Sequence, residues 1–196
     1  FPSKNLAGVG VIFYLLLSVR AKLAEQNYFV GRGPNLAKYL DIVALGTVAD
    51  IVPLDANNRK MVQQGLLRIR KGLTIPGIKA LIEVSRRDQS QLSTADIGYG
   101  IGPLLNAAGR IDNMEIGIDA LLTDDLMEAR AIAAELYELN QARRTIESDT
   151  REEADAILEN LKLEVDKLPA AICLYDEAWH QGVTGIVASR IKDQYY

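Results

Sequence analysis

Residues 125–161 have the sequence DLMEARAIAAELYELNQARRTIESDTREEADAILENL. A spacing of three or four residues, typical of one face of an α-helix, joins Leu126, Ala129, Ala133, Leu136, Leu139, Arg143 and Ile146, and the pattern continues through Ala154, Leu158 and Leu161. Asp125, with Glu128 three residues later, resembles a capping box at the start. An unbroken helix of about 38 residues would be about 57 Å long, more than the diameter of a small domain. We therefore expect a helix that bridges two domains; the alternative is a break near Ser148 and Asp149.

Shorter helices are predicted on the N-terminal side of this long one. Their expected ranges are 5–26, 35–45, 57 or 58 to 71, and 75–86, with a turn at Gly31-Arg32-Gly33-Pro34 between the first two. Another helix is expected to start at a cap formed by Ser93 or Thr94. Residues 98–103 contain three glycines and one proline, so we expect no long regular helix to run through them.

The sequence pattern changes after Pro169. Residues 170–175 form a short apolar run, AAICLY, which is typical of a buried strand. A turn at Asp176 and Glu177 and an amphipathic segment from Ile186 to Ile191 follow. A strand, a loop and a helix in this order predict the first unit of an α/β domain. The predicted fold class is therefore α/β: a mostly helical part that joins the end of one α/β domain to the start of another.

The composition is that of a globular protein and excludes several kinds of site. Of the 196 residues, 48% are hydrophobic and 24% are charged, and the net charge is −4. This balance excludes a disordered or fibrous chain. The single cysteine, Cys173, excludes an internal disulfide and a cysteine-based zinc site, and it fits a reducing, cytoplasmic compartment. The single histidine, His180, excludes any site that needs two.

The ends of the sequence and its most apolar stretch lead to two further expectations. The sequence starts at Phe1 without a methionine and stops inside a predicted helix, so we expect a piece of a longer protein. The stretch from Leu6 to Val19 has 14 residues, fewer than the roughly 20 that a membrane-spanning helix needs. We expect no membrane span here, and a helix that is buried inside a domain.

Charge is unevenly distributed along the chain. Between Arg59 and Arg87, eight basic residues and one acidic residue give a charge of +7. Between Asp112 and Asp166, sixteen acidic and five basic residues give −11. Such asymmetry is typical of a polyanion-binding face opposite a solvated acidic region. Amphipathic helices with basic residues on their solvated side give the same pattern, so the charges alone leave both interpretations open.

A single carboxylate stands in the apolar run LGTVADIVPL at residues 45–54. Because an unpaired charge is costly to bury, Asp50 must be paired, cap a helix or bind a cation. Carboxylate oxygens are natural ligands of hard divalent ions such as Mg²⁺ and Mn²⁺. Taken alone, the local sequence favours a structural, hydrogen-bonded aspartate over a metal ligand.

Two glycine-containing segments are candidate phosphate sites. In the segment that ends with Arg110, small neighbours leave the guanidinium room for a bidentate phosphate contact; alternatively Arg110 pairs with Asp112 or Asp96. His180 and Gly182 lie between the predicted strand and helix, where backbone N–H groups and the helix dipole favour anions. The alternative there is a tight turn with a surface histidine.

Together these segments resemble the DHH phosphoesterase family, and within it the exonucleases that act on single-stranded DNA. The resemblance rests on ALGTVADIVPL (residues 44–54), NAAGRI (106–111), NQARR (140–144) with Glu147, and HQGVTGIVASR (180–190). The order and spacing of these motifs match across nearly the whole chain. Enzymes of this family are two-metal phosphodiesterases, so the resemblance implies Mn²⁺ or Mg²⁺ as cofactor, with water activated against a phosphodiester.

The resemblance implies roles for particular residues. Asp50 matches a metal-ligand aspartate, and it is the catalytic and metal-binding residue expected in this sequence. Arg110 matches an arginine beside the DNA path, while His180, Gly182 and Arg190 lie in a segment that helps to hold the nucleic acid. The other metal ligands are expected upstream of this sequence. We therefore expect the chain alone to be catalytically inactive.

The resemblance also implies an order of domains. Residues 1–55 correspond to the C-terminal part of the catalytic domain, and residues 56–124 to a helical region that completes it. Residues 125–165 correspond to the connecting helix, and residues 166–196 to the start of the DHH-associated, nucleic-acid-binding domain.

The function implied by the resemblance is 5′→3′ hydrolysis of single-stranded DNA in repair and recombination. The expected enzyme is monomeric, with a helicase and a single-strand-binding protein as candidate partners, and the basic segment 59–87 becomes a candidate DNA path. One alternative is a related phosphodiesterase for short oligonucleotides or cyclic dinucleotides. The other is a non-catalytic DNA-binding relative that has lost its metals.

Overall fold

The computed structural model describes residues 3–31, 33–160 and 169–195 of the chain. The helices in these ranges are α1 (Gly8–Glu25), α2 (Leu40–Ala49), α3 (Ala56–Arg70), α4 (Pro76–Val84), α5 (Thr94–Asp96), α6 (Gly102–Ile111), α7 (Glu115–Leu122), α8 (Leu126–Asn160) and α9 (Gln181–Tyr195). Short 3₁₀ turns cover Leu36–Tyr39 and Gln89–Gln91, and a π turn covers Ile97–Ile101. The described residues contain no β-strand, so the mostly helical character is confirmed and the α/β part of the prediction is not seen in them.

The long helix predicted from the periodic pattern is present as α8, a continuous helix of 35 residues. At 1.5 Å per residue it is about 52 Å long. It has no break at Ser148 or Asp149, so the alternative of an interrupted helix is wrong. Residues 161–165 of the predicted connecting helix and residues 166–168 of the predicted following domain lie outside the described residues.

Two separate apolar clusters hold α8 in place. Its first half places Ala129, Ala133 and Leu136 in the main core, against α4, α6 and α7. Its second half packs Ala154 and Leu158 against Val187 and Ile191 of α9, among others. One straight helix therefore connects the main core to the α9 unit.

Helix α1 is only half covered, which corrects the expectation of a buried helix. Phe13 packs with Leu36, Val43 and Met61 in a small cluster beside α2 and α3. Four apolar residues of α1 are instead exposed to solvent by 38–54%: Ile12, Leu15, Leu16 and Val19. The described part of the chain has no element on that side to cover them. No helix in the described ranges is long and apolar enough to cross a membrane.

Residues 94–111 form a helical segment that is irregular in its middle. Ser93 caps it through a reciprocal capping box with Asp96, which confirms that predicted start. The backbone then stays helical, but as a π turn that joins α5 to α6, so no long regular α-helix runs through residues 98–103, as predicted. Pro103 is tolerated because it lies in the first turn of α6, and the glycines allow close packing against α2.

Residues 170–175 do not form the predicted strand. Ile172 and Leu174 pack on the α8–α9 cluster, while Cys173 and Tyr175 between and after them are exposed. This alternation is that of a strand, but a strand needs a hydrogen-bonding neighbour, and the described residues provide none. The helix that follows starts at Gln181, earlier than the predicted segment 186–191.

Two further boundaries differ from the prediction. Helix α2 continues to Ala49 after a 3₁₀ turn, beyond the expected end at residue 45. Helix α3 is capped by Asp55, whose carboxylate accepts from the N–H groups of Asn57 and Asn58, rather than by either asparagine. The predicted turn at residues 31–34 includes Arg32, which lies outside the described residues.

Candidate functional site

Asp50 lies at the end of α2 and its side chain is exposed. Its backbone N–H donates to the carbonyl of Gly46 at 3.0 Å. Its carboxylate has no hydrogen bond or ion pair with any residue that the structure describes. These contacts do not support the structural, hydrogen-bonded interpretation that the local sequence favours, and they leave both carboxylate oxygens accessible.

The residue after Asp50 has an unusual backbone conformation. Ile51 has φ = +54°, in the left-handed region that β-branched residues rarely adopt. Its side chain is 89% exposed, so burial of this side chain does not offset the strain. Such a conformation costs on the order of 1–3 kcal/mol. Backbone strain is therefore concentrated at the turn that sets the direction of Asp50.

The structure brings together three of the predicted site residues at the junction of α6 and α9. Arg110, near the end of α6, donates from Nη1 to the carbonyl of Gly182 at 3.1 Å. The N–H of Gly182 donates to Nδ1 of His180 at 3.1 Å. A Cβ at Gly182 would lie 2.0 Å from the carbonyl oxygen of Arg110, so only glycine allows this approach. The alternative that Arg110 pairs with Asp112 or Asp96 is wrong.

The contacts of His180 define which ring nitrogen can act as a donor. Because Nδ1 accepts the hydrogen bond from Gly182, the neutral ring carries its proton on Nε2. The ring is partly buried at the start of α9, where the N-terminal N–H groups favour anions. An Nε2–H donor beside a helix N-terminus suits a phosphate oxygen, which agrees with the interpretation of His180 as a phosphate contact.

Arg190, the fourth predicted binding residue, belongs to an ion-pair network. Its Nη2 lies 2.5 Å from one carboxylate oxygen of Glu147, while Nη1 of Arg143 donates to the other at 2.6 Å. Arg143 also donates to the side-chain oxygen of Asn140. The Glu147 side chain is 6% exposed and the Arg190 side chain 53%. Glu147 thus joins α8 to α9 and fixes two guanidinium groups at the same place.

These arginines border a surface cavity of about 430 Å³, here called the cationic groove. Its lining residues come from the π turn, α6, α8 and α9, and are Tyr99, Pro103, Arg143, Arg144, Glu147, Ser148, Arg151 and Arg190. With four arginines and one glutamate, the lining has a net charge of +3. Sequence reasoning did not find this groove, because three of the arginines lie inside the segment of charge −11. The spacing of residues 144, 148 and 151, which places them on one face of a helix, is the signal that could have found it.

The groove borders the same turn that packs against the end of α2. A Cβ at Gly98 would lie 3.7 Å from Val48, and one at Gly102 would lie 3.3 Å from Ala49. Tyr99, between these two glycines, is 81% exposed and lines the groove. The π turn therefore contacts the last turn of α2 and also contributes to the groove.

The basic segment 59–87 is partly used for internal contacts. Arg59 donates to the carbonyl of Leu54 at 2.6 Å, and Arg70 donates to the carbonyl of Leu92 at 2.8 Å. Arg87 lies 3.2 Å from Asp96. Other basic side chains of the segment, those of Lys60, Lys71 and Arg86, are exposed. The segment thus combines loop-fixing arginines with solvated charges.

A polar cluster ties the start of the described chain to the loop after Asp50. The carboxylate of Asp55 accepts hydrogen bonds from the Ser3 hydroxyl, the Asn5 amide and the N–H groups at the start of α3. The Asn58 N–H, followed by the Ser3 hydroxyl, lowers the pKa of Asp55 from its usual 3.8. The Asn58 amide in turn donates to the carbonyls of Asn5 and Pro53. The cluster holds residues 53–58 in one conformation.

Asp41 is a buried carboxylate that sequence reasoning missed. It is fully buried and accepts from the Thr74 hydroxyl at 2.9 Å and from the N–H of Ile75 at 3.1 Å. The N–H of Ile42 donates to its other oxygen. Because Ile75 is the cap residue of α4, Asp41 fixes the start of that helix against α2. Its role is structural.

The described residues contain no group of three or more His, Cys, Asp or Glu side chains that could hold a metal ion. Asp50 can therefore supply one oxygen ligand to a metal ion, but it has no acidic, His or Cys partners near enough to complete a site from these residues. An exposed carboxylate without a competing partner has the donor chemistry that Mn²⁺ and Mg²⁺ prefer.

No protein-family model matches the chain. The chain is 54% identical over 199 residues to the single-stranded-DNA-specific exonuclease RecJ of Dickeya dadantii, covering 100% of the chain and 34% of that protein. Among solved structures, exonuclease RecJ bound to manganese has a TM-score of 0.81 and 33% identity, covering 98% of this chain and 45% of that one. RecJ from Thermus thermophilus in complex with Mg²⁺ has a TM-score of 0.76 and 33% identity, covering 95% and 27%. The chain spans about a third of the length of the curated relatives it matches.

Proposed function

Because the resemblance to the RecJ exonucleases holds over the full length of the chain, we propose that it is part of a metal-dependent exonuclease specific for single-stranded DNA. The observation that carries this proposal is the 54% identity to a RecJ exonuclease across 100% of the chain. The expected direction of hydrolysis is 5′→3′. Roles in repair and recombination, a cytoplasmic location, a monomeric state and partnership with a helicase and a single-strand-binding protein stay predictions of the resemblance.

The proposed domain order places this chain across a domain boundary. Residues 1–55 would end an α/β catalytic domain, residues 56–124 would complete it, residues 125–165 would form the connector, and residues 166–196 would begin an α/β nucleic-acid-binding domain. The unbroken α8 supports the connector role, because its two halves belong to different apolar clusters. The uncovered apolar face of α1 and the unpaired segment 170–175 fit elements that pack against further parts of such domains.

Asp50 is the proposed metal ligand and catalytic residue of this chain. Its exposed, unpartnered carboxylate suits Mn²⁺ or Mg²⁺, the ions in the similar RecJ structures, and other parts of the enzyme would supply the remaining ligands. When bound, two such ions supply an activated water and charge stabilisation for phosphodiester hydrolysis. The strained turn at Ile51 holds the carboxylate at the end of α2, so it needs little reorganisation to bind a cation.

The α6–α9 junction is the proposed phosphate contact next to this centre. Arg110 and the Nε2–H of His180 would donate to phosphate oxygens, and Gly182 would allow the backbone of α9 to come close. Arg190 would add positive charge from the rim of the cationic groove. These groups orient and hold the DNA chain, and Asp50 acts through the metal it binds.

The two alternative functions are less well supported. Three curated relatives that are 53–54% identical to the chain are named as exonucleases specific for single-stranded DNA, which does not favour a phosphodiesterase for dinucleotides. The retained Asp50 argues against a relative that has lost its metals.

The test uses the full-length enzyme with Mn²⁺ and 5′-labelled single-stranded DNA. Asp50→Ala should lower the rate by more than the roughly 10- to 100-fold that loss of a group supporting a metal ligand costs. Asp119→Ala, which removes an equally charged, exposed carboxylate on α7, is the matched control and should retain wild-type activity. Equal activities of the two variants would show that Asp50 is not a metal ligand.

A further inference from the structure

The cationic groove has more positive charge than its internal contacts use. Arg143 and Arg190 share the carboxylate of Glu147, so one negative charge serves two guanidinium groups. Arg151 forms an i,i+4 ion pair with Asp155 at 3.6 Å, and its side chain is still 42% exposed. Arg144 is exposed and has no side-chain partner among the described residues. Like charges at this density repel one another, and a bound polyanion would relieve that repulsion.

The groove also has the shape and the aromatic wall that a nucleotide needs. At about 430 Å³ it falls within the range of ordinary small-ligand sites. Arg144, Ser148 and Arg151 occupy one face of α8, which forms one wall. Tyr99, from the π turn, also lines the groove, and 81% of its surface is exposed. Arginines beside an exposed aromatic ring are the combination by which proteins bind single strands, through phosphate contacts and base stacking.

We propose that the cationic groove binds single-stranded nucleic acid, with a base stacked on Tyr99 and phosphates on Arg144 and Arg151. This inference rests on the proposed function and adds a second contact region to it. Asp50 does not line the groove, and four guanidinium groups would repel a divalent cation. The groove therefore holds nucleotides other than the pair joined by the bond that is cleaved. The buried Glu147 holds Arg143 and Arg190, and Arg190 adds charge at the rim, while Arg144 and Arg151 supply the direct phosphate contacts.

The test measures binding by the full-length enzyme to a labelled 12-nucleotide oligothymidylate, with the divalent metal chelated so that no cleavage occurs. Arg144→Ala and Arg151→Ala should each make the plot of log affinity against log salt less steep by about 0.7, the value for one lost phosphate contact on a single strand. Lys192→Ala removes the same charge from α9 outside the groove, and its slope should equal that of the wild type.

Stacking is tested separately at Tyr99. Tyr99→Leu should weaken binding about 5- to 150-fold, the range for loss of one stacked base, while Tyr99→Phe should bind within about twofold of the wild type. With Mn²⁺ restored, Arg144→Ala should raise KM for the 12-nucleotide strand, leave kcat unchanged and leave hydrolysis of a dinucleotide unchanged. A merely structural defect would instead lower kcat on the 12-nucleotide strand and the rate of dinucleotide hydrolysis as well.

Three results would overturn the inference. The first is an unchanged affinity and salt slope for Arg144→Ala and Arg151→Ala. The second is an equal loss of activity on the dinucleotide and the 12-nucleotide strand, which would place the groove at the reacting bond. The third is competition by inorganic phosphate as effective as that by the oligonucleotide, which would make this an ion site. Failure of the wild-type enzyme to cleave single-stranded DNA would refute the proposed function instead. The two kinds of failure are distinguishable, because binding to the groove is measured without metal and does not depend on cleavage.

Discussion

Gly182 starts the close contact between α9 and α6, and its replacement by alanine tests that contact. A Cβ there would lie 2.0 Å from the carbonyl oxygen of Arg110 and 2.8 Å from the carbonyl carbon. Even a close carbon–oxygen contact is about 3.3 Å, so the helices would have to separate by about 1.3 Å. Both opposing atoms belong to the backbone of α6, so no change of side-chain rotamer can relieve the clash.

The magnitude follows from a comparison within α9. Gly185 lies on the same helix and its Cβ would meet no atom within 4 Å. Both substitutions gain the same helix propensity, about 1 kcal/mol for alanine over glycine, so the difference between the variants isolates the clash. Overpacking costs about 1–3 kcal/mol. Gly182→Ala should therefore be less stable than Gly185→Ala by about 1–3 kcal/mol.

The assay is urea unfolding of the 196-residue chain, with hydrogen exchange as a local measurement. The N–H of Val183 donates to the carbonyl of His180 at 3.0 Å at the start of α9, so its exchange should accelerate in Gly182→Ala and not in Gly185→Ala. Equal stabilities and equal exchange rates in the two variants would refute the close approach of α9 to Arg110.

Two further outcomes are expected. The pKa of Asp55 is lowered from 3.8, chiefly by the Asn58 N–H, so its stabilising contribution is present above that pH and is lost as the pH falls through the lower folded-state value. Urea unfolding from about pH 5 downward should therefore show a smaller acid-induced loss in Asp55→Ala than in wild type, whereas Asp119→Ala should keep the wild-type loss. Ile51→Gly should raise the unfolding free energy by about 0.5–1 kcal/mol, because relief of strain exceeds the added backbone entropy. The control Asn27→Gly, at a residue with φ = +55°, should gain less unfolding free energy, because asparagine tolerates this conformation. A lower unfolding free energy for Ile51→Gly than for the wild type would contradict the assignment of strain.

Local patterns in the sequence predict the helices well where the pattern is long or the cap is specific. The spacing from Leu126 onward predicts α8, and Ser93 predicts a helix start that the capping box with Asp96 confirms. The glycines and proline at 98–103 correctly predict that no long regular α-helix runs through them, but the π turn found there also depends on packing against the last turn of α2, which a local pattern cannot show. Residues 170–175 carry a strand-like alternation, but a strand also depends on a neighbour that a local pattern cannot show.

The candidate site is predictable in its individual residues and not in their partners. The motif resemblance selects Arg110, His180 and Gly182, and the structure places them together. Their contacts join residues 72 positions apart, which no local spacing encodes. The cationic groove is hidden for a related reason. Summed charge along residues 112–166 is negative, whereas folding gathers the arginines of one face of α8 with Arg190 of another helix.

The π turn at Ile97–Ile101 has a consequence for how this part of the chain tolerates insertions and deletions. A π turn holds one residue more than the α-helical turn it replaces, and one residue corresponds to about 100° of rotation around the helix axis. Because a π turn and an α-helical turn each complete one revolution, deleting Gly98 or Gly100 would leave an ordinary α-helical turn, and the helical segments on either side would keep their directions. The same deletion inside α6, which has no extra residue to lose, would turn every side chain beyond it by about 100°. The π turn is therefore expected to accept the loss of one residue that α6 would not accept.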